Sequence, residues 1–155
     1  MANICENDLR ITGFKNENEV EEFKKKARNK KESFQLYKFI PPPIGLKFKL
    51  NNESDENLIK KYGATNQVDW KIKNWGIKYD IYDTDLYDED SNHLKYQFGS
   101  PWCPPVEGIQ KISILHPHLI FVLKYEENGE GVTGVVKCIN GNIKEYKMNL
   151  YDEDL

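Results

Sequence analysis

Apolar residues recur along this chain at two spacings, and the spacings alternate in a definite order. Ile4, Leu9 and Ile11 stand at strand-like intervals, predicting a first strand over residues 4–13 with Gly13 closing it. Val20, Phe23 and Ala27 then repeat at helical spacing, predicting a helix from about Asn18 to Asn29. Residues 34–40 alternate only loosely, and Pro41-Pro42-Pro43 stops any regular ladder in favour of an extended connector. Ser54 can cap a short helix running to Tyr62, with Gly63 as its stop. Residues 68–75 fit neither period, although Trp70 and Trp75 are expected to cover part of the core.

Residues 77–83 set Ile77, Tyr79 and Ile81 against Lys78, Asp80 and Tyr82, which predicts a half-solvated strand. A turn is expected around 87–92, followed by a strand from Leu94 to Phe98 that completes an antiparallel hairpin. Pro104 and Pro105 suit the first turn of a helix, where their missing amide hydrogens do no harm. Val106, Ile109, Ile112 and Leu115 form its apolar stripe, and Pro117 ends it. Leu119 to Tyr125 reads as a strongly apolar strand, and 132–138 with 142–148 as a terminal hairpin across Asn140-Gly141. Strand, helix, hairpin, helix, strand is the order of a ferredoxin-like α+β domain, with two main helices on one face of an antiparallel sheet. Residues 1–155 read as one such domain, with an insertion at about 34–76 before the second strand and an added C-terminal hairpin.

Composition narrows the setting. Charged residues make up 30% and the net charge is −3, which suits a globular chain and argues against a general nucleic-acid coat. Cys5, Cys103 and Cys138 are too scattered for a disulfide framework, so reduced thiols are expected. The opening residues carry no basic segment followed by an apolar one, and no run approaches the roughly 18 apolar residues of a membrane helix. The expectation is a cytoplasmic protein.

The least ordinary residues are large aromatics beside Gly and Pro, in Asn74-Trp75-Gly76-Ile77-Lys78-Tyr79-Asp80 and in Phe98-Gly99-Ser100-Pro101-Trp102-Cys103-Pro104-Pro105. With them stand the opening Ile4-Cys5-Glu6-Asn7-Asp8-Leu9-Arg10-Ile11-Thr12-Gly13, the connector Phe39-Ile40-Pro41-Pro42-Pro43, and Tyr125-Glu126-Glu127 before a glycine-containing turn. In this order the chain resembles the Api92-like, or plasmid YubB-like, ferredoxin-fold family of bacteriophages, plasmids and related mobile elements. Two positions depart from the family pattern: Tyr79 stands where a second Trp is common, and Ile77 replaces a usual Thr. The resemblance implies a ferredoxin-like fold, a bacterial host and a mobile-element setting. It carries no catalytic residue with it.

Candidate chemistry is sparse. Lys78 and Asp80, two apart on the predicted strand, share a face and could bind a small polar ligand or form a solvated ion pair. Asn74, Trp75, Gly76, Tyr79, Trp102, Pro104 and Pro105 are motif residues that either dictate backbone geometry or border such a ligand. His116 and His118 lack the further ligands a zinc site needs, and the acidic run Asp80 to Asp90 lacks the Gly and the spaced Glu of a calcium loop. No metal or cofactor is expected. Cys103 beside Pro104 could have a lowered thiol pKa at a helix start, but no His partner is identifiable.

Two surfaces could serve binding. Leu86-Tyr87-Asp88-Glu89-Asp90 recurs as Leu150-Tyr151-Asp152-Glu153-Asp154. These acidic, tyrosine-bearing segments could be solubilised strand ends or could dock on a basic protein surface. Lys24, Lys25, Lys26 and Arg28 follow Glu19, Glu21 and Glu22 on the first helix. That order complements the helix macrodipole and would also supply a phosphate-binding patch. The reading drawn from sequence is a non-enzymatic mobile-element accessory protein that binds a host or competing-element protein. Its most concrete form is a counter-defence inhibitor, anti-CRISPR-like or directed at another anti-phage system, with a nucleic-acid-binding defence effector as its target. The alternative is a nucleic-acid or nucleotide-binding module.

Overall fold

The computed structural model describes residues 3–47 and 54–149. Its elements are β1 (Ile4–Thr12), α1 (Glu17–Ala27), α2 (Asp55–Tyr62), α3 (Gln67–Trp75), β2 (Tyr82–Glu89), β3 (His93–Pro101), α4 (Val106–Leu115), β4 (Ile120–Glu127), β5 (Val132–Ile139) and β6 (Asn142–Asn149), with a short 3-10 turn at Leu36–Lys38. The strands form one six-stranded sheet in the order β2-β3-β1-β4-β5-β6, and every neighbouring pair is antiparallel. The first four strands and α1 and α4 give the ferredoxin-like arrangement, and β5 and β6 extend it beyond β4.

Alternation along the strands decides which face is covered. Cys5, Asn7, Leu9 and Ile11 of β1 point into the core with Leu94, Tyr96 and Phe98 of β3 and Phe121, Leu123 and Tyr125 of β4. Val20, Phe23 and Ala27 from α1 and Ile109 and Ile112 from α4 close over them. Phe34, from the segment after α1, packs edge-on to Tyr96 at 5.0 Å and stacks near Phe98 at 6.1 Å. Truncating so buried a ring to Ala typically costs about 3–5 kcal/mol. The opposite face of the sheet carries Glu6, Asp8, Arg10, Gln97, Lys124 and Lys137, which remain wholly or partly in solvent. No element among those described covers it.

Helix ends follow local chemistry. Asn16, Ser54 and Asn66 each accept a backbone N–H from the third residue beyond, and Gly63 and Gly76 end α2 and α3 in the left-handed region. The Ser54 and Gly63 boundaries agree with the sequence reading. The segment 68–75, which fitted neither period, is helical because Asn66 and Gly76 bracket it and Trp70 and Trp75 both turn inward. The Asn140-Gly141 turn has both φ angles positive, 46° and 80°, as a two-residue hairpin turn requires.

Two expectations are corrected. Residues 77–81 are not a strand; β2 begins at Tyr82, and the insertion therefore reaches Ile81. Ile77 and Ile81 are buried as expected, but Asp80 turns its carboxylate onto the N–H groups of Leu36, Tyr37 and Ile81 and ties the segment to the insertion rather than to β3. The turn expected over 87–92 is confined to 90–92, because β2 continues through Glu89. Strand-poor Asp residues hid this continuation; side-chain bonds from Thr84 to Glu32, Tyr87 to Asp8 and Lys24 to Glu89 hold it.

Candidate binding surface

The two aromatic motifs meet in space. A partly buried polar chain joins them: the Asn7 side-chain amide donates to Ser100 Oγ (2.8 Å), Ser100 Oγ to the Cys103 carbonyl (2.7 Å), and Cys103 Sγ to the Gly76 carbonyl (3.2 Å). Trp75 is buried and donates its indole N–H to the Ile40 carbonyl at 3.0 Å, anchoring α3 to the proline connector. Asn74 donates back to the Trp70 carbonyl at 2.9 Å. Pro104 and Pro105 are buried, and Pro105 occupies the N-cap of α4. Gly76 has φ 84°, a left-handed conformation in which a side chain is strained, so glycine is favoured there. Asn74, Trp75, Gly76, Asp80, Pro104 and Pro105 thus build the scaffold.

Lys78, Tyr79 and Trp102 do something else. Because 77–81 is not a strand, Lys78 and Asp80 do not share a strand face, and no ion pair joins them among the described residues. The Lys78 ammonium instead lies 5.9 Å from the centre of the Tyr79 ring and 5.8 Å from that of Trp102, both cation–π distances. Tyr79 is 43% and Trp102 45% exposed. Trp102 also has φ 71°, in the left-handed region where a bulky side chain is an outlier costing roughly 1–2 kcal/mol. A Trp N–H bond to the Asn3 carbonyl at 2.9 Å, made by the backbone, fixes that conformation.

Tyr79 contacts Tyr82 at 6.2 Å, and Tyr82 leads onto the uncovered face. There it lies over Gly99, where a Cβ would stand 2.5 Å from the ring. Beyond Tyr82 the twisted sheet forms a groove of ≈ 630 Å³ walled by Glu6, Asp8, Asp83, Glu126 and Lys124. Four carboxylates face one ammonium. Tyr87 reaches this groove, its hydroxyl donating to both Asp8 oxygens at 2.8 Å. Burial, then that hydrogen bond, push its phenol up to about 12.

The neighbouring acids are already engaged. Asp88 faces His93 (3.1 Å) and Lys95 (3.8 Å), Glu89 pairs with Lys24 (2.7 Å), and Asp90 accepts from the N–H groups of Asn92 and His93 and from His93 Nδ1. Tyr151, Asp152, Glu153 and Asp154 lie outside the described residues. On α1, Lys24 is held by Glu21 and Glu89, and Lys26 sits 5.8 Å from the Phe39 ring, whereas Lys25 and Arg28 project into solvent. The expected helix patch is therefore half consumed by intramolecular contacts.

The thiols and imidazoles are also placed by burial. Cys103 does not have the lowered pKa that a helix start could confer; burial, foremost, and Glu127 raise it. His118 is exposed and contacts Glu19, while the half-buried His116 packs edge-on to Phe23 at 5.3 Å. Among the described residues, no three His, Cys, Asp or Glu side chains are grouped to hold a metal ion, and no helix is long and apolar enough to cross a membrane.

A second feature of the uncovered face was also missed in the sequence. Strand register sets Lys95, Arg10, Val122, Lys137 and Lys144 side by side across five strands. Arg10, Lys137 and Lys144 make no ion pair among the described residues. The signal was present in β1, where Glu6, Asp8 and Arg10 occupy alternate polar positions, but which strands lie beside β1 was needed to assemble either the groove or the row.

The topology, with helices α2 and α3 inserted before β2 and a hairpin added after β4, defines an elaborated ferredoxin-like domain. A family model described as the ferredoxin-like domain in Api92-like protein matches residues 78–154. The crystal structure of protein Api92 from Yersinia pseudotuberculosis superposes with a TM-score of 0.61 at 11% identity, covering 94% of this chain and 98% of that one. Among curated proteins, none matches the sequence. Residues 78–154 thus match the ferredoxin-like domain of the Api92-like family, and the fold of the whole chain is similar to that of Api92.

Proposed function

We propose that this chain is a non-enzymatic accessory protein of a mobile element that acts by binding a host or competing-element protein. Its contact surface is the Trp102–Lys78–Tyr79 cluster together with the acidic groove beyond Tyr82. The observation that carries this reading is Trp102, a half-exposed indole held at φ 71°. Strain of this kind gathers where surrounding structure maintains a residue for use, and Trp and Tyr dominate the energetics of protein interfaces. The groove supplies charge: carboxylates around a rigid floor attract a Lys- or Arg-bearing segment and steer its approach. A basic surface is what a nucleic-acid-binding defence effector presents, so a counter-defence inhibitor remains the concrete form of the proposal. The mobile-element setting rests on the family resemblance.

The row of Lys95, Arg10, Lys137 and Lys144 favours a second reading, in which the same face holds a single-stranded nucleic acid. Cations along one line can track a phosphate backbone, and Tyr146, 71% exposed in the adjacent register row, offers a stacking surface. The two readings part in one experiment. Tagged protein is used to capture partners from a bacterial host with and without nuclease. A stoichiometric protein that survives nuclease supports the first, while binding that vanishes with nuclease and falls steeply with salt supports the second.

A further inference from the structure

Among the described residues the sheet has two unpaired edges, and they are built differently. On β2 the register with β3 shifts twice, between Tyr82 and Asp85 and again between Leu86 and Asp88, and Asp83 has φ 52°. Bulges of this kind blunt an edge against further pairing. β6 is unlike it. Its eight residues pair with β5 in unbroken register, contain no Pro, and form the outer edge of the sheet. Ile143, Tyr146 and Met148 are all exposed along it.

We propose that β6 pairs antiparallel with β6 of a second copy of this chain, joining two sheets into one of twelve strands. The hairpin turn sets the available hydrogen bonds. A two-residue turn makes Ile139 and Asn142 a hydrogen-bonded pair, so Lys144, Tyr146 and Met148 direct their N–H and C=O groups to β5. Ile143, Glu145 and Lys147 direct theirs outward, at the edge. A two-fold axis perpendicular to the sheet keeps each face on its own side, so paired residues must have the same parity and the register can change only in steps that preserve it.

Charge selects among these registers. With the axis at Tyr146, Glu145 lies opposite the second copy's Lys147, and Lys147 opposite the second copy's Glu145. Both are outward-bonding positions, and Lys144 lies opposite the second copy's Met148. Moving the axis to Glu145 or to Lys147 sets like charges directly opposite each other, which is unfavourable. Glu145 and Lys147 already lie 3.3 Å apart within one strand, so their side chains can share a four-membered alternating cluster across the junction. The helix layers of both copies lie on the same side of the joined sheet, flanking a trough above β6, and the uncovered faces become continuous.

The experiment is the mass of the full chain in solution, by light scattering over a wide concentration range, for wild type and charge variants. Wild type is expected at twice the 18.2 kDa of one chain. Glu145→Lys and Lys147→Glu are each expected to shift it to the monomer, with circular dichroism unchanged. The double variant E145K/K147E is expected to restore the dimer, which a loss of folding in the single variants cannot do. Register is read by cysteine: Tyr146→Cys is expected to cross-link two chains, and Lys144→Cys, off the axis, is not. A wild type that is monomeric throughout overturns the proposal, including the case where it pairs only with a strand of some other protein. A dimer indifferent to both charge reversals also overturns it.

Discussion

The Lys78 ammonium stands 5.8 Å from the centre of the Trp102 ring, so the two aromatic motifs, separated along the chain, meet at the surface as well as in the core. Beneath them, Cys103 bonds Gly76 and Trp75 bonds Ile40, so the scaffold beneath the pair does not depend on the indole. Replacing Trp102 with Gly is therefore expected to relieve strained backbone while removing only a half-exposed side chain. Stability should change by no more than about 1 kcal/mol in either direction. Partner binding is expected to weaken by tenfold or more, about 1.4 kcal/mol, as for an interface anchor. Thermal unfolding and a binding titration on the same sample check both.

Tyr96 is fully buried, and its hydroxyl has no hydrogen-bond partner among the described residues. Burial raises its phenol pKa above the ordinary range. An unsatisfied buried hydroxyl costs about 1–3 kcal/mol, and Phe retains the ring against Phe34. Tyr96→Phe is expected to stabilise the protein by about 1 kcal/mol, read as a rise in melting temperature of about 2–4 °C.

Asp80 accepts three backbone N–H groups, from Leu36 at 2.9 Å, Tyr37 at 3.0 Å and Ile81 at 2.8 Å. Asp80→Ala leaves these donors without an acceptor and is expected to destabilise by about 2–4 kcal/mol, with Asp80→Asn in between, as measured by denaturant unfolding. Burial nevertheless raises this carboxyl above its ordinary 3.8, outweighing the three bonds that lower it. The folded state thus holds the proton more tightly than the unfolded chain. Stability of wild type relative to Asp80→Asn is expected to fall as pH rises from 3.8 through the folded pKa.

Much of this architecture was legible in the sequence. Alternation in β1 and β4, the helical stripe of α1 and the Asn140-Gly141 turn each combine a clear period with a recognisable end. The segment 77–81 misled because buried Ile77 and Ile81 alternate like a strand, whereas its backbone partner is Leu36 and Tyr37, far away in sequence. Trp102 reads in the sequence as a residue that dictates backbone geometry or borders a ligand; its left-handed backbone turns the indole outward, which residue type does not reveal. The groove and the cationic row needed strand order, since their residues come from all six strands and no one segment holds more than a few.

Tyr87 and Asp8 offer a pH test of the groove. The folded pKa of Tyr87, about 12, lies above the ordinary 10.0, so the folded state retains its proton more tightly. That contribution is full below pH 10 and is lost as pH rises to about 12. Carbon-13 tyrosine NMR is expected to show one exposed-ring resonance titrating near the upper value, absent in Tyr87→Phe. In Asp8→Asn it should move down towards 10, since the accepting charge is gone.

The central claim, a protein-directed surface centred on Trp102, is tested most directly by capture from nuclease-treated host extract with wild type and Trp102→Ala compared side by side. The account expects one protein recovered in stoichiometric amount by wild type and lost with Trp102→Ala, while Arg10→Glu/Lys137→Glu retains it. Equal recovery by Trp102→Ala, or partners that disappear with nuclease and with the Arg10 and Lys137 reversals, would contradict it.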